Sequence, residues 1–276
     1  MSIAKIGRYD VEKELAQGGM GLIFLARDPY IQRQVVVKVL MYRHMVDDVY
    51  REFFQQEAEL IAALEHPCIV PIYDFGFHGE QPYIVMRYMS EGTLDDRVGK
   101  GELKLTEIAH ILKRVAEALD AAHLRKIVHR DVKLTNILFD STGEAFLSDF
   151  GIAKSKTFTD DDGDWLVGTP AYMSPEQGKG DNVDGRSDIY ALGVVLYRLL
   201  TGQLPFSSDS TTGLINAHMD LPIPDIRKIK NNIPAVWQEV VARAMAKESA
   251  DRYATAGDFA RDVAEVVSGK WYLRKL

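Results

Sequence analysis

His129-Arg130-Asp131-Val132-Lys133-Leu134-Thr135-Asn136, followed by Ser148-Asp149-Phe150-Gly151, is the stretch on which the reading of this chain turns. Asp131 stands five residues before Asn136 and eighteen before Asp149. An acid, an amide and a second acid at these intervals suit one proton acceptor and two oxygen ligands for a hard divalent cation. A lone His-Arg-Asp triplet would carry little weight. The weight comes from the order of the two blocks, with a glycine-rich turn and a lysine upstream of both.

The upstream turn is Leu15-Ala16-Gln17-Gly18-Gly19-Met20-Gly21, set between strand-like runs at Tyr9 to Ala16 and Leu22 to Ala26. Glycine permits φ > 0 and a close approach of backbone to phosphate. A dinucleotide fingerprint needs a helix after the glycines and an acid about 20 residues on. Here a strand follows, and Lys38 stands 17 residues after Gly21. No GxxxxGK[ST] phosphate loop is present either. Gln34 to Leu40 is valine-rich, as buried strands are. A helix is expected over about Asp47 to Leu64, because Phe53, Phe54, Ala58, Ile61 and Leu64 recur at helical spacing. Glu57 falls near the centre of that apolar face. A carboxylate there is costly without a cation, and Lys38 at the end of the valine strand is the expected partner.

The chain has 276 residues, 46% of them hydrophobic and 26% charged, with a net charge of −7. That is the composition of a globular protein, and the acidic balance gives no nucleic-acid footprint. The single cysteine, Cys68, cannot form an internal disulfide and fits a reducing compartment. No apolar run approaches the ~20 residues of a membrane span, and the start lacks the apolar core of a secretion signal. The cytoplasm is the expected location. His66, His110, His123 and His218 lack zinc-ligand spacing. Further strands are expected at Ile69 to Tyr73 and Pro82 to Met86. Beyond about residue 88 the pattern turns helical: Ile108 to Leu124, a buried Ile189 to Leu200 closed by Gly202, Trp237 to Met245, and Ala256 to Val267. Ser155 to Gly168 and Gly178 to Gly185 read as loops, the first carrying the acidic run Asp160-Asp161-Asp162. Strands followed by helices predict a two-part α+β architecture with the chemistry between the parts.

Taken together, these blocks resemble the eukaryotic-type (Hanks-type) serine/threonine protein kinase catalytic domain, in its bacterial branch. The resemblance covers about Tyr9 to Val267, and includes AQGGMGLIFLA and GTPAYMSPEQ. It implies a bilobal α+β fold, with an antiparallel sheet and one key helix in an N-lobe and a mostly helical C-lobe. The lobes would cover about residues 1–88 and 93–276, with a hinge at about 87–92. The implied function is transfer of the ATP γ-phosphoryl group to Ser/Thr hydroxyls of proteins, with autophosphorylation of the activation loop. Ala16, Gly18 and Gly21 would lie over the phosphates. Lys38 would hold the α- and β-phosphates and pair with Glu57. Ile23 and Val36 would cover the adenine from above and Leu138 from below. Met86 would be the gatekeeper, and the backbones of Arg87 and Met89 would meet the adenine edge.

On the catalytic side, the resemblance gives Asp131 the proton of the acceptor hydroxyl and Lys133 the charge on the transferred group. Asn136 and Asp149 would hold Mg²⁺ or Mn²⁺. Thr169, together with Lys133, marks the Ser/Thr rather than the Tyr class and would bond both Asp131 and Lys133. Glu176 would pair with Arg252, and Asp188 would hold the catalytic-loop backbone. Arg130 would receive a phosphothreonine at Thr157 or Thr159. The implied partners are protein substrates and a second copy of the chain for trans-autophosphorylation. Related bacterial kinases often continue into a membrane span and a sensor domain, so the cytoplasmic part of an anchored protein also fits. Four positions depart from the family's pattern: Ala16 for the first glycine, Val36 for alanine, Arg87 for an acidic hinge residue and Leu134 for proline. None removes a catalytic group. The alternative, a nucleotide-binding or docking module without turnover, would require loss of Lys38, Asp131, Asn136 or Asp149, and all four are present.

Overall fold

The computed structural model describes residues 4–18, 21–40, 48–150 and 169–271. The chain divides into two compact units, Met1–Ser90 and Glu91–Leu276. The first holds β1 (Lys5–Ile6), β2 (Tyr9–Gly18), β3 (Gly21–Asp28), β4 (Arg33–Leu40), α1 (Asp48–Ala62), β5 (Ile72–His78) and β6 (Gln81–Arg87). All strand pairs are antiparallel and the sheet order is β1-β2-β3-β4-β6-β5.

The pleat sorts this sheet into two faces. Phe24, Ala26, Val35, Val37, Val39, Tyr83 and Val85 close over Ile6 and Tyr9 on one of them. Ile23 pairs with Lys38, Lys38 with Ile84 and Val36 with Met86, which places these residues on the opposite face. Helix α1 covers that second face. The Phe54 ring meets Phe75 at 6.3 Å and Phe77 at 5.5 Å between centroids, and Phe75 pairs with Ile84. Phe54, Ala58, Ile61 and Leu64 are buried, as the helical spacing predicts.

The second unit holds α2 (Leu94–Lys100), α3 (Leu105–His123), β7 (Ile137–Phe139), β8 (Ala145–Leu147), α4 (Pro175–Lys179) and α5 (Gly185–Thr201), then α6 (Thr211–Asp220), α7 (Ile226–Ile229), α8 (Val236–Ala244) and α9 (Ala256–Val267). Helix α5 is its axis: Ser187 to Tyr197 are buried without interruption. Gly202 ends it in the left-handed region at φ 77°. Helix α3 reaches across to α9, where Asp120 accepts hydrogen bonds from Ala256 N (2.9 Å) and Gly257 N (2.8 Å). Among the described residues no helix is long and apolar enough to cross a membrane.

Several elements differ from expectation. The strand expected at Ile69 to Tyr73 begins only at Ile72. Before it, the chain turns on His66, which accepts from Cys68 N at 3.2 Å through Nδ1 and from Ile69 N at 3.0 Å through its carbonyl. Pro71 then has no N–H to give a ladder. Ile69 and Val70 are nonetheless buried, ahead of the strand proper. The loop expected at Gly178 to Gly185 is shortened, because α4 runs to Lys179. A reciprocal capping box between Ser174 and Gln177 starts this helix. Helices α2 and α7 are too short to show a period, and α6 presents only a weak apolar face. Their signals are N-caps alone: Thr93 with Asp96, Ser210, and Asp225.

Candidate active site

The loop carrying His129 to Asn136 is anchored from beneath by α5. Asp188, 1% exposed, accepts from His129 N at 2.9 Å and from Arg130 N at 2.8 Å. Arg130 is thereby held at φ 64°, a strained value for a non-glycine residue. His129 then spans the two blocks of the motif. Its Nε2 donates to the Ser148 carbonyl at 2.8 Å, its Nδ1 accepts from Asp131 N at 3.2 Å, and its ring lies 4.6 Å from that of Phe150. These partners assign the neutral Nε2–H tautomer.

The buried Asp131 carboxylate is held by donors on both oxygens. Oδ1 accepts from Thr169 N (3.0 Å) and Thr169 Oγ1 (2.9 Å). Oδ2 accepts from Lys133 Nζ (2.9 Å) and Asn136 Nδ2 (3.2 Å). Lys133 Nζ also donates to Thr169 Oγ1 at 2.6 Å. Acid, lysine and threonine therefore form one closed hydrogen-bonded ring.

The β7–β8 hairpin brings Asn136 and Asp149 together. Ile137 pairs with Leu147, so Asn136 precedes one strand and Asp149 follows the other. Ser148 seals the junction by donating to the Asn136 carbonyl from N (2.9 Å) and from Oγ (3.1 Å). Asn136 Nδ2 donates to the Asp131 carbonyl at 2.8 Å, which fixes the orientation of the side-chain amide. Asp149 sits at φ 61°. One amide oxygen and one carboxylate are hard donors that fit Mg²⁺ or Mn²⁺ and leave the other coordination positions to phosphate and water oxygens. No group of three or more His, Cys, Asp or Glu side chains among the described residues could hold a metal.

Beyond the acid, residues 169–176 form a second anchored layer. Arg252, fully buried at its side chain, grips Glu176 in a bidentate pair at 2.6 and 2.7 Å. Burial works against the Glu176 carboxylate. Hydrogen bonds from Arg252 and Ser187 outweigh it and hold the group below the usual carboxylate range. Gln177 Nε2 reaches back to the Arg130 carbonyl at 3.2 Å.

In the first unit, Ile23, Val36, Lys38 and Met86 share the α1-covered face of the sheet. Glu57 lies on α1 one turn beyond Phe54, with Oε2 buried. Ala16 pairs with Ile23, and Gly18 with Gly21. Met89 is buried. Arg87 N donates to the Pro71 carbonyl at 3.0 Å. Leu138 belongs to the second unit, where it bridges to Thr93. Thr157 and Thr159, with the acidic run beside them, lie outside the described residues.

Sequence reasoning missed two supports. His123, which lacks zinc-ligand spacing, bonds Asp188 Oδ2 at 2.7 Å through Nε2. Ser187 donates to Glu176. Each partner is distant in sequence, and no local pattern marks it.

The chain matches the family model for the protein kinase domain over residues 9–267. It is 36% identical over 261 residues to the serine/threonine-protein kinase PrkC of Bacillus subtilis, covering 93% of this chain and 40% of that protein. It is 41% identical over 267 residues to the serine/threonine-protein kinase PknH of Mycobacterium bovis, covering 95% and 44% respectively. The chain thus spans about two fifths of the length of these relatives. Its structure is similar to the Mycobacterium tuberculosis PknI kinase domain, with a TM-score of 0.79 at 29% identity, over 97% of this chain and 100% of that one.

Proposed function

We propose that this chain, a member of the protein kinase domain family, is an ATP-dependent serine/threonine kinase domain whose phosphoryl transfer is carried by Asp131, Lys133, Asn136, Asp149, Lys38 and Glu57. The observation that carries this reading is the closed ring of Asp131, Lys133 and Thr169 beside the Asn136–Asp149 pair.

Asp131 orients the acceptor hydroxyl and takes its proton as the oxygen attacks the γ-phosphorus. Lys133 places its positive charge beside the group in transit. Asn136 Oδ1 and the Asp149 carboxylate would hold Mg²⁺ or Mn²⁺, whose positive charge would offset the repulsion among phosphate oxygens. Lys38 binds the α- and β-phosphates and is positioned by Glu57, a division supported by the placement of α1 on the Lys38 face. Gly18 and Gly21, with Ala16, pass the backbone over the phosphates. Ile23, Val36 and Leu138 enclose the adenine and Met86 limits its depth. The backbones of Arg87 and Met89 meet the polar edge of the base. Thr169 shapes the acceptor pocket through its bonds to Asp131 and Lys133.

Arg130 receives a phosphate placed on Thr157 or Thr159, so autophosphorylation amplifies activity. Trans-reaction between two copies of the chain supplies that phosphate, other protein substrates bear Ser or Thr, and the site of action is the cytoplasm. Intact mass after incubation with Mg-ATP, followed by phosphopeptide mapping, tests the proposal. Phosphates at Thr157 or Thr159, absent from an Asp131→Asn control, are the expected result, with lower activity in the Thr157→Ala/Thr159→Ala double variant. No mass gain despite ATP binding would defeat the catalytic assignment.

A further inference from the structure

Helix α5 is buried nearly all round, yet it carries an arginine at position 198. A guanidinium on such a helix is costly unless its donors are met. They are met from two directions. Arg198 NH1 donates to the Tyr172 hydroxyl at 2.9 Å, and NH2 to Asp95 Oδ1 at 2.8 Å. Tyr172 is the last residue of the turn Pro170–Tyr172, and that turn begins immediately after Thr169. Thr169 in turn holds Asp131 Oδ1 through two hydrogen bonds. Asp95 lies in the first turn of α2, whose capping box at Thr93 and Asp96 fixes it. Thr93 is bridged to Leu138, and the Phe139 carbonyl accepts from Glu91 N at 3.1 Å.

We propose that Arg198 is a positioning residue for the acceptor side of the site: its planar fork ties the Pro170–Tyr172 turn to α2, with Asp95 as its counter-ion. This inference rests on the kinase reading above. The fork makes the assignment specific. A guanidinium can serve Tyr172 and Asp95 at once along fixed directions, whereas an ammonium is a point charge on a flexible stem. Burial raises the Tyr172 hydroxyl above its ordinary value, which keeps it a neutral acceptor for Arg198. The Arg198–Asp95 pair is part-exposed, at 28% and 39% of the side chains. Its role is thus geometric, since such pairs add little stability. Loss of the fork frees Tyr172 and, one turn back, the backbone that presents Thr169 to Asp131.

Casein phosphorylation by the full chain with Mg-ATP tests this, using Arg198→Met, Arg198→Lys and Asp95→Asn. The expected result for Arg198→Met is a KM for casein raised about tenfold with a lowered kcat, a KM for ATP within about twofold of wild type, and an unchanged melting temperature. Arg198→Lys should recover only part of the loss, and Asp95→Asn should fall between it and wild type. An unchanged KM for casein in Arg198→Met would overturn the proposal. So would equal rises in both KM values with a lowered melting temperature, which would mark a structural role only. Wild type inactive on casein and on itself would instead defeat the parent reading, and the Asp131→Asn control separates the two outcomes.

Discussion

Thr169 shows how much depends on single atoms at this site. Its hydroxyl donates to Asp131 Oδ1 while accepting from Lys133 Nζ, so one oxygen sets the orientation of both charged groups. Thr169→Val keeps the shape and the backbone N–H bond to Asp131 but breaks the ring. Steady-state kinetics should show kcat reduced by about 10- to 100-fold with the KM for ATP unchanged, and Thr169→Ser should retain most of the rate. The spacing from Asp131 to Asn136 and Asp149 was legible in the sequence because these residues share one loop and one short hairpin. Arg252 was not legible from spacing. It lies 76 positions from Glu176, and only the family resemblance pointed to it.

At the scale of elements, the β2–β3 turn has two reasons for its glycines, and the sequence displayed only one. Close approach to phosphate was the reading of Gly21. The structure adds a steric reason: Gly21 has φ +145°, and a Cβ built there would stand 1.9 Å from the Val39 carbonyl oxygen on β4. Gly21→Ala therefore has to push β3 away from β4, the strand that carries Lys38. The expected outcome is a KM for ATP raised by about fivefold or more and destabilisation of about 1–3 kcal/mol, measured by nucleotide titration and thermal melting. Long periodic elements such as α3, α5 and α9 were legible because a buried face repeats over several turns. Helices α2, α4 and α6 were missed because caps and neighbours, not periodicity, decide short helices.

At the scale of the molecule, acid stability should follow His218. This residue on α6 is 1% exposed and bonds the Tyr190 hydroxyl through Nδ1 at 2.9 Å. The groups facing it are Tyr190, Lys247 (whose Nζ donates to the His218 carbonyl), the ring of Phe206 and the Ala171 backbone, which favours the protonated ring but is outweighed. Burial, reinforced by the Lys247 charge, lowers its pKa to about 4. The unfolded chain takes up the proton near pH 6.5, whereas the folded chain does so only near 4. The neutral ring therefore contributes full stability above about pH 6.5, and that contribution is lost as the pH falls through the window to about 4, amounting to about 3 kcal/mol. Denaturant titrations at pH 7 and pH 4.5 should show this loss, and His218→Asn should flatten it.

The sequence by itself determined the two-part α+β class, the family, the apolar face of α1 and which residues are the candidates for catalysis and metal binding. All of these rest on patterns that repeat or cluster locally: alternation along strands, helical spacing, and fixed intervals within one loop. The family resemblance implies Asp188 under the catalytic loop and Arg252 on Glu176, and the structure bears both out. Only the tertiary structure decided the further supports, His123 behind Asp188 and Arg198 across Tyr172, which are supplied by helices remote in sequence. The physical reason is that a buried polar group needs a partner wherever the packing brings one close, and a distant helix can meet that need without leaving a local signature.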